Sequence, residues 1–206
     1  MDPTVELILA EYERRSADEA KIMHSQPEEF ARRIDDFLIS VGPATGRMLH
    51  LLATGANAKS ILELGSSYGY STIWLADAAR ATGGKVVSLE LSQRKVDHAQ
   101  AQLARAGLAE FVEFRIGSAL DTLPRLAGPF DLVLLDLWKD LYVPCLELFH
   151  PKLSPGALVA ADNMLFPLNT RPAAMDYQAR VRTKPDLDSV LLPIGSGVEL
   201  SRKHGP

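Results

Sequence analysis

Two short stretches of this chain combine residue types that can hold a metal ion and move a proton. Asp136 opens Asp136-Leu137-Trp138-Lys139-Asp140 directly behind the apolar run Leu132-Val133-Leu134-Leu135, and Asp162-Asn163 closely follows Ala157-Leu158-Val159-Ala160. Two carboxylates and one amide oxygen are hard donors, and they suit Mg²⁺, which keeps waters or accepts substrate oxygens at its open positions. Zinc would normally want histidine or cysteine, and none is placed here. Lys139 is the candidate general base. An ordinary lysine loses its proton near about 10.4, so a depression of roughly 2 to 3 units is needed for work near neutral pH. A neighbouring dication disfavours the ammonium and acidifies a hydroxyl bound to it, which moves both partners of the transfer toward each other. Each residue also has an ordinary role: a strand-end Asp can cap a helix, Asp-Asn can fill a turn, Lys139 can be a solvated lysine and Trp138 a packing residue.

A third stretch, Gly65-Ser66-Ser67-Tyr68-Gly69-Tyr70-Ser71, runs from an apolar strand into a helix. Glycines at such a turn permit close backbone approach, and the helix start favours a carboxylate or phosphate. The spacing is Gly-x-x-x-Gly, which does not fit the Gly-x-Gly-x-x-Gly turn of dinucleotide sites, so nicotinamide cofactors are disfavoured. Glu90 closes the next apolar run, where a carboxylate can accept both hydrogen bonds of a ribose diol. Together these point to an adenosine-containing ligand without a pyrophosphate, of which S-adenosylmethionine is the commonest candidate. The plainer reading is a tight turn beside a solvated glutamate.

These groups must be positioned by the elements between them. Ile61-Leu62-Glu63-Leu64, Val86-Val87-Ser88-Leu89, Phe111-Val112-Glu113-Phe114, Leu132–Leu135 and Ala157–Ala160 are short apolar runs, and helical stretches at 72–81, 93–106, 120–126 and 141–153 separate them. Mostly apolar strands alternating with helices predict βαβ units and a parallel sheet covered on both faces, an α/β class. In an open sheet of this kind the carboxyl ends of the strands share one edge, so all four chemical loops should converge. Ser189–Leu192, the turn Gly195-Ser196-Gly197 and Val198–Ser201 predict an antiparallel hairpin closing the sheet. Ahead of the strands lies a helical lead-in, 1–58. Pro3 suits a first helical turn and Val5, Leu9 and Tyr12 share a face; 17–39 looks helical in pieces, and Gly42-Pro43 precedes a helix over 45–52.

The 206 residues suit one generous domain. With 22 basic against 26 acidic residues the net charge is −4, which lacks the basic field of a nucleic-acid binder. No apolar run is long enough to span a bilayer and the first 15 residues lack a signal-peptide pattern, so the expectation is a soluble cytoplasmic protein. The single cysteine, Cys145, is expected to be a small buried apolar residue. Leu7, Leu9 and Phe30 are candidate homodimer contacts, which core packing would explain equally well.

The stretch Val41-Gly42-Pro43-Ala44-Thr45-Gly46, the run from Leu62 to Ser71, Asp136–Asp140 and Ala161-Asp162-Asn163 together resemble the divalent-metal-dependent O-methyltransferases, catechol O-methyltransferase in particular, over roughly 39–203. The resemblance implies a Rossmann-like class I methyltransferase sandwich of seven strands, the last antiparallel, as a single domain with its α/β core over 59–206. It implies that Val41 touches the methionine part of S-adenosylmethionine, that Glu63, Gly65, Ser67, Gly69 and Tyr70 belong to the cofactor site, and that Ser71 holds the carboxylate. Glu90 would take the ribose hydroxyls, Ser118 and Trp138 would flank adenine, and Asp136 would border both cofactor and metal. Asp136, Asp162 and Asn163 match the metal ligands and Lys139 the catalytic base, while Trp138 and Pro167 resemble residues that hold a planar aromatic acceptor. The implied reaction is methyl transfer to a hydroxyl of a small, catechol-like acceptor held through Mg²⁺.

Three positions depart from the pattern. Leu137 stands where the catechol enzyme has histidine, the segment from Asn163 to Tyr177 is short, and Ser189–Leu192 offers no clear equivalent of a glutamate that meets the second acceptor hydroxyl. Catechol itself is therefore not fixed as the acceptor. A nitrogen, peptide or lipid acceptor on the same scaffold, or a cofactor-binding module without catalysis, are the competing readings.

Overall fold

The computed structural model describes residues 1–205. Seven strands, β1 (Ser60–Leu64), β2 (Lys85–Glu90), β3 (Val112–Ile116), β4 (Phe130–Leu135), β5 (Leu153–Ala161), β6 (Leu187–Leu192) and β7 (Val198–Lys203), form one sheet in the order β3-β2-β1-β4-β5-β7-β6. β1 to β5 are parallel and β7 is antiparallel to both its neighbours, as the resemblance and the hairpin pattern lead one to expect. The strand order reverses between β1 and β4, the place where open α/β sheets leave a crevice for ligands.

Strand alternation sends successive side chains to opposite faces. Leu62 and Leu64 pack into a cluster with Tyr142, Leu146, Phe149, Tyr177 and Val181, whereas Ile61 packs with Leu49, Ala53, Leu75 and Ala78 on the other face. The first cover is α7 (Tyr142–Phe149) and α8 (Arg171–Arg182); the second is α3 (Gly42–Gly55) and α4 (Tyr70–Thr82). α5 (Gln93–Arg105) lies against β2 and β3, and the one-turn α6 (Ala119–Thr122) follows β3. The lead-in begins with α1 (Pro3–Ser25), capped by the Asp2 carboxylate accepting from Thr4 N at 2.8 Å, and continues through the short α2 (Pro27–Arg32). Only the first half of α1 is apolar inward: Val5, Ile8, Leu9 and Tyr12 are buried against Tyr70, Ile73 and Trp74.

Several expectations are corrected. The helix predicted over 141–153 stops at Phe149; Pro151 lies in a 3₁₀ turn, His150–Lys152, and Leu153 already opens β5. Phe111 ends a 3₁₀ turn rather than starting β3. The helix over 120–126 is a single turn followed by a 3₁₀ turn, Leu123–Arg125, because Pro124 cannot donate to a continuing ladder. α8 goes unread in the sequence although Ala174, Tyr177, Gln178 and Val181 are buried at helical spacing. Leu9 is core and Phe30 stacks edge-on against Phe37 of the same chain at 4.9 Å, so of the three candidate dimer contacts only Leu7 is exposed. No helix among the described residues is long and apolar enough to cross a membrane.

Candidate active site

The site residues sit one step beyond the parallel strands, on a continuation of the sheet's own ladder. Gly65 N donates to Leu89 O at 3.0 Å, Asp136 N to Leu64 O at 2.9 Å and Asp162 N to Leu135 O at 3.0 Å. This staircase carries the ends of β1, β4 and β5 to one edge. A side chain at Gly65 would collide with the Asp136 carbonyl, so the glycine admits the end of β4 rather than a ligand. Gly69 serves the helices in the same way: its backbone has φ 96° and its Cα lies against Ala99 of α5.

Leu38, Ile39, Ser40 and Val41 form one wall of a narrow cleft whose other wall is Ser66, Ser67, Tyr70, Ser71 and Asp136. Of the expected cofactor residues, Val41, Ser67, Tyr70, Ser71 and Asp136 thus meet in one place. Glu90 stands beside them, its carboxylate oriented by backbone N–H groups of Ser67 (2.9 Å), Leu91 (2.9 Å) and Ser92 (3.0 Å). Ser118, half-buried just before α6, and Trp138, 56% exposed, do not line this cleft. Glu63 needs correction. It is fully buried and accepts from Ser71 Oγ (2.7 Å), Thr72 Oγ1 (2.7 Å) and Ser88 Oγ (2.6 Å), so it fixes the first turn of α4 from beneath instead of lining the cleft. Burial pushes its carboxyl up to about 7, against the opposing pull of those three hydroxyls.

Asp162 is 1% exposed, and both of its carboxylate oxygens are sealed from solvent with no hydrogen-bond partner. Two lone acceptors buried in this way are costly unless a proton or a cation meets them. Burial pushes the Asp162 carboxyl up to about 8, with the Asp136 charge adding to it, and burial likewise raises Asp136 above the usual carboxylate range. Asn163 adopts φ 55°, a conformation asparagine tolerates, and its Oδ1 accepts from Lys139 Nζ at 3.1 Å. Lys139 Nζ also donates to Tyr142 Oη at 2.5 Å and to Leu137 O at 3.2 Å, while Tyr142 Oη donates to the Asp162 carbonyl at 3.2 Å. Burial lowers the Lys139 ammonium below its ordinary value, although Asp136 and Asp162 pull the other way. Asp136, Asp162, Asn163 and Lys139 are therefore one cluster. No trio of His, Cys, Asp and Glu gathers in metal-binding fashion among the described residues; here the third oxygen is an amide. The donor set has the hardness, charge and unmet acceptors that a divalent cation requires.

A methyltransferase domain family matches residues 62–164, half of the chain and the whole span from the glycine turn to the last oxygen donor. The chain belongs to this methyltransferase family. It is 42% identical over 131 residues to a catechol O-methyltransferase of Niastella koreensis, a match that covers 62% of this chain. The chain spans 59% of the length of that curated relative. Among solved structures, the cofactor-bound protein Rv0187 from MTB superposes with a TM-score of 0.78 at 31% identity, covering 100% of this chain and 92% of that one. The O-methyltransferase TomG from Streptomyces achromogenes, in complex with SAM, has a TM-score of 0.76 at 28% identity, covering 95% and 99%.

Two buried polar groups in and near the site escape a reading of the sequence. Tyr142, three residues after Lys139, carries the spacing that could have revealed it, because one helical turn stacks such pairs. Glu199 on β7 has no local signal: it is buried and bound by Gln178 (2.7 Å), Arg182 (2.8 Å) and Ser189 (2.7 Å). Its carboxylate is taken up by these donors of α8 and β6.

Proposed function

We propose that the protein transfers a methyl group from S-adenosylmethionine to a hydroxyl of a small, catechol-like aromatic acceptor, with Asp136, Asp162 and Asn163 holding a divalent cation such as Mg²⁺. The observation that carries this reading is the pair of buried, unpartnered Asp162 oxygens in one cluster with Asp136, Asn163 and Lys139. S-adenosylmethionine would supply an electrophilic methyl group, and the cation would supply positive charge that favours ionised oxygen.

The chain's own groups do the remaining work. Val41, Ser67, Tyr70 and Ser71 enclose the methionine side of the cleft, and Glu90 is oriented for a diol. Lys139, with its ammonium destabilised by burial, removes the hydroxyl proton at Nζ. Tyr142 Oη and the Leu137 carbonyl keep Nζ in place, and the two lone pairs on Asn163 Oδ1 allow it to serve Lys139 and a cation together. Trp138 and Pro167, both exposed and close in sequence to the oxygen donors, would offer flat apolar surface to an aromatic ring. Most of the rate gain then comes from alignment, for which about 7 to 11 kcal/mol is available to well-oriented reactants. The cytoplasm, without a membrane or nucleic-acid partner, is the setting this reading assumes.

The test is transfer of a labelled methyl group to a panel of catechols, flavonoids and hydroxycinnamates. Product is expected with at least one vicinal diol, to vanish in EDTA and to return with Mg²⁺. Turnover indifferent to chelation would remove the cation from the mechanism.

A further inference from the structure

The tip of the last hairpin, Gly195-Ser196-Gly197, contributes no group to the chemistry, yet it touches both halves of the site. The turn closes on itself through Gly197 N donating to Ile194 O at 2.9 Å. On one side it holds the segment that continues from Asp162-Asn163: Met164 N donates to Gly197 O at 2.9 Å, and Leu165 N and Phe166 N donate to Ser196 O at 2.8 and 3.1 Å. On the other side it leans on the start of α3. A Cβ at Gly195 would lie 2.5 Å from Thr45 Oγ1 and 3.3 Å from the carbonyl of Val41, which lines the cofactor cleft. Thr45 Oγ1 is buried without a hydrogen-bond partner, so this contact is steric. A Cβ at Gly197 would lie 2.6 Å from Leu165 Cγ and 2.8 Å from Leu165 N, in a backbone with φ 89° that disfavours any side chain.

We propose that the Gly195–Gly197 turn is a positioning clasp that sets the gap between the cofactor wall at Val41 and the oxygen-donor segment at Asn163–Phe166. The inference rests on the methyl-transfer reading. Gly195 and Gly197 are positioning residues acting through different neighbours, so their loss should injure different ligands. Gly197→Ala must displace the Leu165 main chain, which lies two residues from Asn163, and so should weaken the cation. Gly195→Ala presses on Thr45 and the Val41 carbonyl, and so should weaken the cofactor. A clasp that mattered only for stability would weaken both ligands in step with the melting temperature.

The experiment titrates the full chain with S-adenosylmethionine by calorimetry and with Mn²⁺ by electron paramagnetic resonance, without an acceptor. Gly156→Ala is the control, because Gly156 likewise has a positive φ, 81°, but lies in β5, where a Cβ would meet only the flexible Arg202 guanidinium at an ordinary contact distance of 3.7 Å. Gly197→Ala is expected to raise the Mn²⁺ Kd tenfold or more while the S-adenosylmethionine Kd changes less than threefold. Gly195→Ala should show the reverse preference, with a threefold to tenfold rise for S-adenosylmethionine, and it serves if Gly197→Ala does not fold. Gly156→Ala should lower the melting temperature and leave both constants alone. Affinities that follow melting temperature equally in all three variants would overturn the clasp. If the unsubstituted protein binds neither ligand, the methyl-transfer reading itself falls.

Discussion

Lys139 is set apart from an ordinary lysine by its surroundings. Its Nζ is directed to three acceptors, those of Tyr142, Leu137 and Asn163, and is held 4.1 Å from the Tyr142 ring centroid in a site where burial outweighs two nearby carboxyls. Lys139→Ala is expected to lower kcat by about 10² to 10⁴, the usual worth of a positioned base, while the Kd for S-adenosylmethionine stays within about twofold; parallel loss of both would make Lys139 structural. The carboxyls make a second prediction. Burial holds Glu63 and Asp162 at about 7 and about 8, well above the ordinary carboxylate range, so between roughly pH 4 and 8 the folded protein keeps protons that the unfolded chain has released. Their contribution to stability is present at low pH and is lost as pH rises through that window. A divalent cation needs ionised carboxylate, so the rise in melting temperature on adding Mg²⁺ should be larger at pH 8 than at pH 6, and Asp162→Asn should abolish it. Melting curves at both pH values with and without EDTA check this.

At the level of elements, the two edges of the sheet have separate tasks. Asp131, at the start of β4, accepts from Lys59 N (2.8 Å), Ser60 N (3.0 Å) and Ser154 Oγ (2.7 Å), tying β1, β4 and β5 together at the amino edge. Backbone and hydroxyl donors hold its carboxyl below the usual range despite burial. Asp131→Ala should cost about 1 to 3 kcal/mol in urea unfolding by stranding those donors, yet leave kcat within about twofold, because the candidate site lies at the opposite edge. The same division explains which elements could be read from sequence. β1, β2 and β4 are buried on both faces and appear as continuous apolar runs. The start of β5 passes through Ser154-Pro155-Gly156 with a register shift against β4 and lacks the apolar run, while α8 keeps helical spacing but has a polar glutamine among its four buried positions, which weakens the apolar stripe.

For the molecule as a whole, the lead-in is a structural part of the site. Tyr12 of α1 donates to the Tyr68 carbonyl at 2.5 Å, Arg15 donates to Asp36 O at 2.9 Å, and Ser67 Oγ donates to Leu38 O at 3.1 Å, so the glycine turn and the 36–41 wall of the cleft are both anchored to α1. Ile8, 1% exposed in the cluster with Tyr70, Ile73 and Trp74, carries this docking. Ile8→Ala should lower stability by about 2 to 5 kcal/mol, the range for a truncated buried aliphatic side chain, as measured by denaturant unfolding.

The α/β class, the parallel sheet with its antiparallel hairpin, the glycine turn and the oxygen donors behind β4 and β5 were all legible from the chain, because each rests on short-range pattern: hydrophobic period, turn composition and the chemistry of single residue types. Tertiary structure alone decided that Gly65 makes room for Asp136, that Glu63 works from beneath the loop, that Tyr142 anchors Lys139 and that Glu199 is directed into a cluster with α8. These follow from which strands become neighbours and how much water they exclude. Burial, which moves the carboxyls of Glu63 and Asp162 up and the ammonium of Lys139 down, arises only once distant segments close over the same point.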